Sequence, residues 1–72
     1  MNNHDKLMKV GPLLYGPAWQ TQLAYALRVN SRIIRFWVAG EREVPQHYVD
    51  QLGILLLQRM AAIEAVLSDY ER

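Results

Sequence analysis

Apolar residues along the 72-residue chain recur in steps of three and four and never alternate over a sustained run, so the pattern predicts helices and no strands. Leu7, Val10, Leu13 and Leu14 fall at helical spacing and predict a first helix over residues 5–15. Pro12 removes one hydrogen bond there, so the helix either bends at the proline or begins near it. A second helix is expected over 17–27, with Pro17 suited to the first turn and Leu23, Ala24 and Leu27 facing inward. Residues 28–30 connect it to a third, over about 31–38, which Asn30 or Ser31 can cap and which Gly40 can end. After Pro45, apolar residues recur from Val49 to Tyr70, predicting a fourth helix over about 46–70. Gly53 weakens that helix, so a break there, with the two parts folding back on each other, is the alternative to one continuous rod.

A helix of that length rises ~36 Å, more than three short helices can cover. A 72-residue chain forms one domain and, alone, buries only about 60% of the surface it exposes when unfolded. With no cysteine it lacks disulfides and thiolate ligands, and His4 and His47 are too few for a zinc site. A second subunit is the remaining support, and Leu52, Leu56, Met60, Ile63 and Leu67 are its expected interface.

The net charge of +1 hides an uneven distribution. Residues 20–42 carry four arginines against one glutamate, a net +3, whereas residues 43–72 carry two arginines against five carboxylates, a net −3. A basic stretch of this kind suits phosphate contacts. Within it, two helices joined by a three-residue turn match what a helix-turn-helix requires: a small residue where the helices cross (Ala24), an apolar residue in the turn (Val29) and a β-branched core residue midway along the second helix (Ile34).

Gln20, Leu23–Ala24, Leu27, Val29, Ile34, Trp37 and Gly40 together resemble the helix-turn-helix of lambda repressor/Cro-like (XRE-type) regulators, and Trp19 just before the motif is similar to small bacterial and phage regulators of that class. The resemblance covers about residues 13–45. Two features depart from the family pattern: Arg28 stands where glycine is common, and Ile33 and Phe36 stand where polar residues are common. The resemblance implies an all-α, lambda-repressor-like bundle of about four helices, a single domain with its motif at about 18–39 and a long C-terminal dimerisation helix. It implies a DNA-binding transcriptional regulator; as a homodimer, its two-fold symmetry predicts an inverted-repeat operator on double-stranded DNA, and its small size leads to the expectation of a repressor.

With Ile34 at the centre of the inner face and about 100° per residue, Trp37 and Val38 stay inside, while Arg32 and Phe36 point nearly opposite and Arg35 and Ile33 lie at the flanks. Ser31, Arg32, Arg35, Phe36 and Ile33 are therefore the expected base contacts, arginine toward guanine and apolar groups toward the thymine methyl. A lean of Phe36 onto the fourth helix or onto a partner is the alternative. Gln20, by the resemblance, and Thr21, Arg28, Asn30 and Arg42, by position, are the expected phosphate contacts. Trp19, Leu23, Ala24, Ile34 and Trp37 are expected in the core.

No nucleophile–base pair, carboxylate pair or glycine-rich phosphate loop is present, so an enzyme is not expected, nor a metal or cofactor. Unbroken apolar runs such as Ile54–Leu57 are far short of a membrane span, and the N-terminus lacks the apolar core of a signal peptide, so a cytoplasmic protein is expected. Two rivals share these residues. One is an antitoxin whose C-terminal helix also binds a toxin; the other is a protein-binding module that docks through Ile33 and Phe36.

Overall fold

The computed structural model describes residues 1–72 and is all-helical. Helix α1 spans Asn3–Tyr15, α2 Trp19–Leu27, α3 Ser31–Ala39 and α4 Gln46–Tyr70. α1 starts two residues earlier than the periodicity predicts, because the Asn2 side chain accepts a bond from the Asp5 N–H at 2.8 Å and so caps the first turn. It runs through Pro12 without a break and closes at Gly16, whose N–H reaches the Pro12 carbonyl at 2.7 Å. α4 is continuous through Gly53, so the alternative of two helices folded on each other does not arise.

Both helices of the central pair end in the same way. After α2, the Val29 N–H bonds the Ala24 carbonyl at 3.0 Å and the Arg28 N–H bonds that of Tyr25 at 3.2 Å. After α3, Glu41 bonds Phe36 at 3.0 Å and Gly40 bonds Trp37 at 3.1 Å. This is the Schellman arrangement, which needs one left-handed residue at each end. Gly40, with φ 77°, meets that need without strain, whereas Arg28 meets it with φ 58°.

α1 packs against each of the other three helices. The core is a cluster built on Leu7, Leu23, Ile34, Trp37 and Leu52, closed by Trp19, Ala24, Leu27, Val44 and Val49. The five residues expected inside, Trp19, Leu23, Ala24, Ile34 and Trp37, are all buried. Trp19 lies with its indole directly over Gly11, where a β-carbon would collide with the ring. No buried side-chain polar atom lacks a partner.

Leu52 corrects an expectation. It is 2% exposed within a single chain, so it belongs to the core and is not free to meet a partner. The reason is reach, since the first turns of α4 pack on α1 and the bundle ends only beyond them. Leu56 is half-buried, and Met60, Ile63 and Leu67 are exposed. The overhang gives the molecule extents of 48 × 22 × 18 Å and a radius of gyration of 13.5 Å. A compact chain of this length is expected near ~11 Å.

The membrane expectation also needs amending. Counting unbroken apolar runs misses that α4, 25 residues long, holds an 18-residue window of mean hydropathy 1.3 of which 6% is buried. By length and composition alone it is apolar enough to cross a bilayer. Arg59 and Glu64 sit in this part of the helix and oppose that, because ionised groups at bilayer depth are costly.

The two helical glycines make opposite predictions. Gly11→Ala drives a methyl group into the Trp19 ring and is expected to destabilise the fold by about 2 kcal/mol, the usual scale of overpacking. Gly53→Ala meets open space and is expected to stabilise by up to about 1 kcal/mol through helix propensity. Urea unfolding followed by tryptophan fluorescence measures both.

Candidate nucleic-acid interface

α3 is amphipathic in the manner its sequence predicts. Ile34 and Trp37 are buried, and Arg32 and Arg35 are exposed. Asn30 caps the helix, its side-chain oxygen accepting the Arg32 N–H at 2.8 Å. That bond uses the oxygen of Asn30 and leaves its amide N–H groups for another acceptor. Ser31, half-buried, and Arg32 begin the first turn of α3; Gln20, half-buried, and Thr21, exposed, begin that of α2. The start of α2 has no side-chain cap, a favourable setting for anions, whereas at the start of α3 Asn30 takes the Arg32 N–H with its side chain and the Ile33 N–H with its carbonyl. Arg28, exposed, occupies the turn between the two helices.

The position of α3 is held by two side chains whose part here no pattern in the sequence marks. His4 Nε2 donates to the Val38 carbonyl at 3.0 Å, at the end of α3. Asn3 donates from its amide to the Val44 carbonyl at 2.9 Å, in the loop that follows. Trp37 adds a tilted ring contact with Tyr48 on α4, centroids 5.1 Å apart. The far end of α3 is therefore fastened to α1 and α4 while its outer face stays open.

The two apolar residues on α3 behave differently from one another and from expectation. Ile33 is half-buried and packs against the core cluster, so only part of it reaches the surface. Phe36 is half-buried and lies under Arg42, whose guanidinium carbon is 4.5 Å from the ring centroid. This cation–π stack explains an aromatic ring among arginines: the ring face takes up a cation from the next loop. The stack also fixes the direction of a long, otherwise free side chain at the edge of the α3 surface. No pattern in the sequence marks a contact across the α3–α4 loop, although an aromatic six residues before an arginine and beyond a glycine stop is compatible with one.

The structure thus gathers Ser31, Arg32, Arg35, Phe36 and Arg42 on α3 and the loop after it, with Arg28 and Asn30 at its other end. No group of three or more histidine, cysteine, aspartate or glutamate side chains converges anywhere in the chain. No protein family, curated protein or solved structure matches the chain.

Arg28 sets up a measurable conflict between stability and charge. Replacing it by glycine relieves a left-handed conformation that costs a side-chain-bearing residue ~1–2 kcal/mol, offset in part by the greater freedom of glycine when unfolded. Arg28→Gly is expected to raise stability by roughly 0.5–1 kcal/mol in urea unfolding.

Proposed function

We propose that the chain is a sequence-specific DNA-binding regulator of the lambda repressor/Cro-like kind, with α3 lying in the major groove. One observation carries the reading. Two helices joined by the three residues Arg28–Asn30 pack through Ala24, Leu27 and Ile34 and leave Arg32 and Arg35 on the outer face of the second. In this reading Arg32 and Arg35 reach base edges, where a guanidinium pairs with guanine O6 and N7. Ser31 and the free amide of Asn30 act at the start of the helix. Gln20, Thr21, Arg28 and Arg42 hold phosphates on either side.

Phe36 takes a different part from the thymine contact that its wheel position suggests. It supports Arg42, so its contribution to affinity runs through a phosphate. The same stack weighs against the protein-docking rival, because the Phe36 face is already occupied and Ile33 is partly spent on the core. A domain of this kind acts most simply by occupying a promoter, so repression is the proposed outcome. Two copies related by a two-fold axis bind an inverted repeat, with half-sites one helical turn, ~34 Å, or a multiple of it apart.

Selection of bound sequences from a random DNA pool tests this directly. An enriched inverted repeat is expected, and Arg32→Ala/Arg35→Ala should abolish the enrichment. Arg42→Ala should keep the same preferred sequence while flattening the slope of log affinity against log salt by about 0.9, the value for one lost phosphate. Phe36→Leu should do the same in part. No binding at low salt would end the DNA reading.

A further inference from the structure

The second half of α4 is the largest feature that the DNA-binding reading leaves unused. Arg59 marks where it begins. Its guanidinium donates to the Leu14 carbonyl at 2.9 Å and stands 5.7 Å from the Tyr15 ring centroid, so it ties α4 to the end of α1. Beyond it every residue of α4 is exposed. Ile63 is 58% exposed, Leu67 51% and Tyr70 85%. With Val66 and Met60 they continue the same stripe that carries Val49 and Leu52 inside the bundle, at steps of three and four. Leu13, 75% exposed at the end of α1, borders the stripe beside Met60 and Ile63.

The amount of uncovered surface points to what covers it. A compact monomer of 8.4 kDa is expected to expose about 4,600 Å². The chain exposes 5367 Å². The excess, roughly 750 Å², is close to the ~800 Å² that each partner contributes to a standard stable interface. The stripe is also straight and built from one helix, a shape that an identical helix complements.

We infer that this face of α4, residues 60–70, is covered by the same face of a second copy of the chain, with Leu13 closing its edge. Every contact then occurs twice, as a two-fold interface requires. This names the surface and the partner for the two-copy assembly in the proposed function, yet rests on exposed apolar area that owes nothing to DNA.

Sedimentation equilibrium of the full chain without DNA tests it. A mass twice that of the chain is expected. Ile63→Lys and Leu67→Lys should each weaken association at least about 10-fold, the range of a central interface residue. Ala61→Lys, on the opposite side of the helix, should leave it unchanged. Ile63 and Leu67 lie outside the core, so the near-ultraviolet signal of Trp19 and Trp37 should persist in both variants and shows that the bundle is folded. A monomer at high micromolar concentration overturns the inference, as does flotation with phosphatidylcholine–phosphatidylglycerol vesicles in place of self-association. A chain that pairs but ignores DNA leaves this inference standing and removes the DNA reading; a chain that binds DNA as a monomer does the reverse.

Discussion

The fold depends on a close approach between α1 and Trp19. At Gly11 the helix presents bare backbone, and the indole ring lies where any side chain would stand. This brings the start of α2 hard against the middle of α1. From there α1 can touch all three other helices, with Leu7 fully buried at their meeting point. Bulk at residue 11 would push α2 outward and carry α3 with it, since α2 and α3 are joined by only three residues. A small bundle with so few core side chains has little capacity to absorb such a shift.

What α3 offers to solvent follows from how it is fastened. Ile34 and Trp37 hold its inner face; His4 and Asn3 hold its end and the following loop. Asn3 and His4 reach across 41 and 34 residues of sequence to do so, and each contact removes one way for α3 to turn or slide. Arg32 and Arg35 are then presented at fixed positions without being packed themselves. In the proposed reading such a surface gains from this division, because ordering of the backbone is complete before the ligand arrives.

Periodicity and end signals made much of this legible. The glycine stop at Gly40, the Asn30 cap, the continuous register of α4 and the inward residues of α2 and α3 depend on neighbours within a turn or two, and these are visible in a linear sequence. Features that depend on distant neighbours were not visible. The Gly11–Trp19 approach needs two segments to meet, and so do the His4–Val38 bond and the Arg42–Phe36 stack. Leu52 and Ile63 illustrate the limit best. They stand on one stripe at the same helical phase, yet one is core and the other is bare. Only the length of α1 decides where the bundle stops, and nothing in the pattern of α4 encodes that length. Pro12 was equally opaque: a proline predicts a lost bond, and the helix here runs on without it.

The tie from Arg59 to Leu14 divides α4 into two thermal regimes. Up to that point its hydrogen bonds are shielded by α1; past it, about three turns stand with no tertiary support. Helical segments that short are marginal in water on their own, so the bundle lends this end of α4 little of its stability. Whatever covers it therefore freezes a helix as well as hiding apolar surface. Such an association is driven by heat release against an entropic cost and carries a negative heat capacity, the signature of folding coupled to binding. In the proposed pairing, warming is then expected to loosen the assembly before it unfolds the domain, and the oligomer would act as a thermometer that the bundle itself is not.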